Sequence, residues 1–169
     1  MRSVRKISSD VTIEFESIAS EVYRLKSVLD RLRMKRPTGG SQEGWEAAHI
    51  CASAAEKIYT GFERVLTRIV REDDASRHDR GAGWHRRLLQ EVGRPIPGGR
   101  PSIVSEACLA RLDRLRAFRH RERNTYGFDL DLGIVLERSA EAVEAFDIFR
   151  AEVTTFLDRD GPSDVPDPS

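Results

Sequence analysis

The chain has 169 residues, and its 28 basic residues balance 28 acidic residues, so that its formal net charge at pH 7 is zero. This length suits one domain with a sizeable core, and the balanced charge means that any attraction for nucleic acid must come from a local patch. Two cysteines cannot form a disulfide framework, which indicates a reducing compartment. We expect a soluble, cytoplasmic protein, because the sequence contains neither an apolar run of membrane-spanning length nor a recognisable signal peptide.

Apolar residues at alternating steps of four and three predict two long helices in the first half of the chain. The first is expected to begin at one of residues 8–10 (Ser-Ser-Asp), any of which can act as an N-cap, and to end near Arg36, before a Pro-Thr-Gly-Gly break. The second is expected from about Gln42 to Asp73. Because the loop between them is short, the two helices should pack antiparallel.

Three more helices are predicted in the second half. A short amphipathic helix runs from Trp84 to Val92, and Trp84 is expected to anchor it against the bundle. The fourth helix begins near Ser102 and is broken by Gly127. Either Asp129 or Asp131 can cap the fifth. Its expected buried face consists of Leu136, Val143, Phe146, Phe149, Val153 and Phe156.

The expected fold is therefore all-α, an up-down bundle of four main helices with one short extra helix. The helical domain should span residues 1–158. Residues 159–169 form a tail rich in aspartate and proline, a composition that predicts disorder. Bundles of this kind often dimerise through a remaining apolar face.

The end of the fourth predicted helix is rich in arginine. Arginine is suited to bidentate contact with phosphate, so a converging set would make a local anion site. The alternative is a solvated helix face on which the arginines pair with Asp113 and Glu122. The six arginines are Arg111, Arg114, Arg116, Arg119, Arg121 and Arg123.

Helical spacing separates these residues by face. Arg116, Arg119 and Arg123 share one face, which makes Arg116 and Arg123 candidate substrate-binding residues beside Arg119. Tyr126 shares the face of Arg119 while the helix continues, whereas Asn124 lies about 140° round a straight helix. For Arg119 and Asn124 to serve one site, the helix must end or distort there, or a second subunit must complete the site.

The stretch Arg119–Tyr126 resembles the Arg-x4-His-x-Tyr signature of HepT-like toxins, which belong to the HEPN ribonuclease superfamily. The Phe-Arg-His … Tyr … Asp-Leu-Asp pattern within residues 118–131 is similar to one branch of these proteins. So are the Trp-His-x-x-Leu-Leu pattern at residues 84–89 and the Tyr-x-x-Phe-Glu-Arg pattern at residues 59–64. In order and spacing the resemblance covers roughly residues 45–158.

This resemblance implies a homodimeric α-helical bundle with metal-independent endoribonuclease activity that leaves a 2′,3′-cyclic phosphate. Arg119 would match the catalytic arginine, and His120 the polar residue that follows it. Tyr126 would match the tyrosine to which an MntA-like nucleotidyltransferase antitoxin transfers AMP from ATP. The implied partners are an RNA substrate, mRNA or tRNA, and that antitoxin. No cofactor is expected, and no metal, because the histidines and cysteines lack metal-ligand spacing.

Asn124 departs from the signature, because it stands where the motif has histidine. An amide forms hydrogen bonds but cannot titrate, and loss of a general acid or base costs about 10²–10⁴-fold in rate. The residue is then a detoxifying substitution, or the natural toxin is weakened or inactive, or His120 has taken over the role. An alternative function is a non-catalytic helical subunit that binds a nucleotide or a partner beside a small nucleotidyltransferase. A further alternative is a purely structural dimerisation bundle.

Overall fold

The computed structural model describes residues 2–73, 83–97, 99–124 and 130–159, with side chains for residues 9–70, 83–97, 99–120 and 130–159. Within this part the protein consists of five α-helices and has no β-strand, which confirms the predicted all-α class. None of the described helices combines the length and the apolar character needed to cross a bilayer. The helices are α1 (Arg2–Lys35), α2 (Gln42–Asp73), α3 (Trp84–Val92), α4 (Glu106–Asn124) and α5 (Leu132–Arg159).

Helices α1 and α2 form an antiparallel pair, as their short loop predicts. Four ion pairs join the two helices along their length. Residues later in α1 pair with residues earlier in α2, which is the order of an antiparallel pair. These pairs are Lys35–Glu43 (2.9 Å), Lys57–Glu21 (3.7 Å), Arg64–Glu14 (3.3 Å) and Arg68–Asp10 (3.3 Å).

The core centres on α2 and α5, which pack against each other and against α1 and α4. The ring centroid of Phe62 in α2 lies 4.6 Å from that of Phe149 in α5 and 6.5 Å from that of Phe146. Phe15 from α1 meets both α5 rings edge-on, at 6.4 and 6.2 Å. These aromatic contacts join three helices that are distant in sequence, and α3 then packs on α2 and α4.

Two predicted helix starts were wrong. Helix α1 begins at Arg2 rather than at residues 8–10, because no helix-breaking residue lies between them, and Asp10 pairs with Arg68 instead of capping. Helix α4 begins at Glu106 rather than near Ser102, because the preceding segment is buried as a bend, in which the backbone N–H of Ile103 donates to the carbonyl of Val92 at 2.8 Å.

Side-chain caps mark the actual starts of the last two helices. At α4, the backbone N–H of Cys108 donates to Ser105 Oγ at 3.2 Å. At α5, the backbone N–H of Ile134 donates to Asp131 Oδ1 at 2.9 Å. Of the two caps that the sequence allowed, the helix therefore uses Asp131. The predicted break at Gly127, the alternative cap Asp129 and residues 160–169 of the predicted tail fall outside the described residues and stay predictions. Arg159, the first residue of the predicted tail, still belongs to α5.

Most of the predicted α5 face is buried as expected. Its four inward residues Phe146, Phe149, Val153 and Phe156 are buried. Leu136 and Val143 are only partly buried against the core, because Val135 and Ala142 take the inner positions beside them.

Candidate functional site

A buried carboxylate joins three helices near the end of α4. Glu63 lies in α2 and is only 4% exposed. Its Oε2 accepts a hydrogen bond from Arg119 Nη1 of α4 at 2.7 Å, and its Oε1 is hydrogen-bonded to Nδ1 of His85 in α3. A buried charge is costly unless it is paired and hydrogen-bonded, and here both oxygens have basic partners.

A second carboxylate and an aromatic ring hold Arg119 from the same face of α2. Arg119 Nε lies 3.4 Å from Glu56 Oε1, and the guanidinium carbon lies 5.9 Å from the centre of the Tyr59 ring. Steps of three and four residues place Glu56, Tyr59 and Glu63 on one helix face. We refer to Glu56, Tyr59, Glu63, His85 and Arg119 as the Glu63 cluster.

Tyr59 supplies a protonated hydroxyl inside this cluster. Burial raises the pKa of Tyr59, and the negative charge of Glu63 raises it further, so the phenol stays neutral at physiological pH. The hydroxyl lies near the Glu63 carboxylate without the geometry of a hydrogen bond, and no other described residue accepts from it. A buried hydroxyl in this state is an available donor, because leaving it unsatisfied has a free-energy cost.

The start of α3 positions His85. Gly83 precedes the helix at φ 81°, a left-handed conformation that favours glycine, and its carbonyl accepts from the backbone N–H groups of Arg86 and Arg87 at 3.1 and 3.2 Å. The His85 ring packs against the Trp84 ring with centroids 3.9 Å apart. Trp84 itself packs against the core, which confirms its predicted role as an anchor.

The tautomer of His85 follows from its partner. A carboxylate only accepts hydrogen bonds, so Nδ1 carries the hydrogen in the contact with Glu63, and the lone pair of the neutral ring is on Nε2. The His85 side chain is 33% exposed, whereas that of Glu63 is 6% exposed. The cluster therefore has a buried carboxylate at its base and an imidazole at its surface.

Of the sequence-predicted site residues, only Arg119 has a described side chain within the Glu63 cluster. Arg116 pairs instead with Asp113, one turn earlier, at 2.7 Å, as the alternative of intrahelical pairing predicts. His120 is exposed on α4. The side chains of Arg123 and Asn124 lie outside the described ones, and Tyr126 lies outside the described residues. The substrate-binding, catalytic and modification roles of these residues stay predictions.

The other described arginines of α4 also face carboxylates. Arg111 lies 3.3 Å from Glu144, and Arg114 lies 2.5 Å from Glu141, both in α5. Partial burial acts to raise the pKa of Glu141, but hydrogen bonds from Arg114 and Arg138 outweigh it and lower that pKa. Two of the six arginines that the sequence places on α4 therefore join α4 to α5.

Glu63 and His85 are not among the site residues predicted from the sequence, although both stand in patterns that resemble HepT-like proteins. Glu63 carries a signal of its own. It follows Tyr59 by four residues and precedes Leu66 by three, so it interrupts an apolar stripe of α2 with a charge. A charged residue at a core position needs a partner, and this would have directed attention to a basic residue on a neighbouring helix.

Both cysteines are buried, which controls their reactivity. Burial raises the pKa of Cys51 to about 11. Burial and then the charge of Glu152 raise the pKa of Cys108 to about 12. Both thiols are thus poor nucleophiles at neutral pH. Within the described ranges, no group of three His, Cys, Asp or Glu residues lies close enough together to hold a metal ion.

Comparison with known proteins identifies the family of this chain. A family model of HepT-like proteins matches residues 50–159, a segment that contains every residue of the Glu63 cluster. No curated protein and no solved structure matches the chain. Since the family model covers well over half of the sequence and the fold is the expected helical bundle, the chain belongs to the HepT-like family of the HEPN superfamily.

Proposed function

We propose that the protein is the cytoplasmic toxin subunit of a HEPN/MNT-type toxin–antitoxin pair, with a metal-independent endoribonuclease site that Asn124 leaves weakened or inactive. The observation that carries the proposal is the Glu63 carboxylate, which holds Arg119 at 2.7 Å and also binds His85. It brings together the three sequence elements that resemble HepT-like proteins, at the end of α4 where the family signature lies. Family membership supports the same function.

The proposed chemistry needs a fixed cation. Cleavage through a 2′,3′-cyclic phosphate builds negative charge on the phosphate oxygens, and a preorganised guanidinium stabilises that charge without reorientation. The pairs with Glu56 and Glu63 use the Nε and Nη1 nitrogens of Arg119. A guanidinium has five N–H donors, so Nη2 remains outside both pairs and is the nitrogen that we assign to the phosphate.

The first test compares RNA cleavage by the chain with that by Asn124→His and by the double variant Asn124→His/Arg119→Ala. Single-stranded RNA and tRNA are the substrates, with a chelator present. We expect Asn124→His to cleave at least about 100-fold faster than the chain, because it restores a titratable group, and the double variant to lose this gain. Intact RNA after incubation with Asn124→His would exclude the nuclease function.

The second test concerns control by the antitoxin. We propose that a nucleotidyltransferase partner transfers AMP onto Tyr126, which would add negative charge and bulk beside the arginines of α4 and exclude RNA. Intact mass after incubation with the partner and ATP should increase by one or more AMP units, all located on the peptide of Tyr126. Tyr23 is 77% exposed and serves as an internal control. Equal labelling of Tyr23, or labelling of Tyr126→Phe, would contradict a specific site.

A second candidate function is a non-catalytic binding subunit, and the pairing of Arg111, Arg114 and Arg116 with carboxylates favours it. Paired arginines hold RNA less strongly than a converging cationic patch. This candidate predicts that Asn124→His leaves RNA intact while the chain still forms a stable complex with the nucleotidyltransferase. RNA cleavage by Asn124→His separates the candidates, because only the toxin requires nuclease activity. Calorimetric titration measures the complex with the nucleotidyltransferase, which both candidates allow.

A further inference from the structure

The imidazole of His85 has a different kind of partner from that of His49. The Nδ1 atom of His49 bonds to the backbone carbonyl of Trp45. The Nδ1 atom of His85 is bound to a buried carboxylate. A carboxylate behind an imidazole fixes the ring orientation and stabilises the protonated ring that forms when the far nitrogen accepts a proton.

The His85 side chain is partly exposed. With Nδ1 engaged by Glu63, Nε2 is the nitrogen left to accept a proton, and a third of the side chain is exposed. The neighbouring Trp84 ring, whose centroid lies 3.9 Å from that of the imidazole, restricts rotation of the imidazole. His85 is therefore oriented by a buried carboxylate and is itself partly exposed, which suits a general base.

Arg119 donates a hydrogen bond to the other oxygen of the Glu63 carboxylate. Arg119 of α4, the cation for the phosphate, and His85 of α3, the imidazole for the proton, therefore bind the two oxygens of one carboxylate. We infer that His85 is the proton-transfer residue of this site, in a chain whose Asn124 cannot titrate, and that Glu63 is its positioning residue. The inference rests on the proposed RNA cleavage and assigns a residue outside the Arg119–Tyr126 signature to it.

One imidazole can carry out both proton transfers of the reaction. Nε2 of neutral His85 takes the proton of the ribose 2′-OH while the 2′-oxygen forms a bond to phosphorus. The bond from phosphorus to the 5′-oxygen breaks with its electron pair on that oxygen. The imidazolium then gives its proton to the departing 5′-oxygen, so the products are a 2′,3′-cyclic phosphate and a 5′-hydroxyl. Arg119 stabilises the charge on the non-bridging oxygens throughout.

The decisive variant is His85→Gln in the chain that carries Asn124. Glutamine keeps an N–H donor for Glu63 but cannot titrate, so a merely structural role would survive the change. We expect the residual cleavage of RNA to fall about 100-fold or more, with unchanged affinity for an uncleavable 2′-deoxy strand. His49→Gln is the matched control and should leave the rate unchanged. Thermal unfolding of each variant reports whether it folds.

A second variant keeps the test decisive if His85→Gln does not fold. In His85→Ala, added imidazole should restore much of the lost rate, because it replaces the missing proton carrier, and failure to restore it would overturn the assignment.

Other outcomes separate this inference from the proposed function. If the chain cleaves RNA and His85→Gln cleaves equally well, the inference fails while the nuclease function stands. The same holds if only Asn124→His cleaves RNA, because His85 then does not transfer the proton on its own. If the chain and Asn124→His both leave RNA intact, the proposed function and the inference fail together.

Discussion

Glu63 places a carboxylate among buried residues of α2, beside Tyr59 and one turn before Leu66. Its two oxygens are used by residues of two other helices, Arg119 and His85. Removing one partner of a buried ion pair leaves an uncompensated charge, which is far more costly than the loss of a surface pair. This residue therefore links the stability of the bundle to the geometry of the candidate site.

Replacing Glu63 by glutamine should lower the free energy of unfolding by about 3 kcal/mol, because the change removes the charge that holds Arg119 within the bundle. Glu56→Gln is the matched control and should cost about 1 kcal/mol or less, because this carboxylate is more exposed and its contact with Arg119 is longer. Urea unfolding at pH 7 measures both variants. Equal losses would show that burial does not distinguish the two carboxylates.

Glu141 predicts a defined pH dependence. Its pKa is lowered in the folded state, because hydrogen bonds from Arg114 and Arg138 outweigh the opposing effect of burial. The stabilisation that follows is present above the ordinary carboxyl pKa of about 4.3 and is lost as pH falls through the lower folded value. Glu141→Gln should therefore unfold at a lower urea concentration than the chain at pH 7.

The difference between Glu141→Gln and the chain should shrink as pH falls below the ordinary carboxyl pKa of about 4.3, and it should disappear below the lowered folded pKa, where the wild-type carboxyl is protonated as well. Glu144→Gln should show a smaller difference at pH 7, because Glu144 is more exposed and pairs with Arg111 alone. A difference for Glu141→Gln that persisted unchanged into acid would contradict the charge-based explanation.

At the scale of the helices, a single glycine sets how closely α1 and α2 approach. A Cβ atom at Gly61 would lie 2.4 Å from Cγ1 and 2.8 Å from Cδ1 of Ile18, a buried side chain of α1. Both distances are below van der Waals contact, so a larger residue would force the helices apart or move Ile18 from its rotamer. The face of α2 that carries Glu56, Tyr59 and Glu63 belongs to this same helix, so its placement depends on this packing.

Gly61→Ala should accordingly destabilise the fold by about 1–3 kcal/mol, although alanine favours helices more than glycine does. Gly40→Ala is the control, because a Cβ atom at Gly40 would meet nothing within 4 Å. Combining Gly61→Ala with Ile18→Ala should cost less than the sum of the single changes, since the second removes the clashing atoms. Strict additivity in thermal or urea unfolding would show that Ile18 is not the source of the strain.

At the scale of the whole molecule, the aromatic contacts among α1, α2 and α5 make a single core, and both cysteines are buried in it. Neither thiol should react appreciably with an aromatic disulfide reagent at pH 8, because both are inaccessible and burial raises the pKa of Cys51 to about 11 and that of Cys108 to about 12. Both should become reactive at the same urea concentration if the bundle unfolds cooperatively.

Labelling of Cys108 at a lower urea concentration than Cys51 would contradict this prediction. It would mean that α4 separates from the rest of the bundle before the core unfolds. The single variants Cys51→Ala and Cys108→Ala allow each thiol to be followed separately.

The helices could be placed from sequence because the signals for them are local. Apolar periodicity and the glycine and proline breaks gave α2 and α3 with the bounds that the structure has. The starts of α1 and α4 could not be placed in this way. Asp10 is a good cap in isolation, but its carboxylate pairs with Arg68 of another helix, and residues 102–105 precede α4 because Ile103 and Val104 are buried as a bend.

The same distinction between local signals and tertiary contacts applies to the candidate site. Arg119 and its signature were readable because the motif is contiguous, and the family follows from residues 50–159. The contacts of Arg119 with Glu63, and of Glu63 with His85, span 56 and 22 residues of chain. No local pattern specifies them. They exist because α3 and α4 both pack against α2, and because a buried carboxylate is stable only where packing brings donors to both of its oxygens.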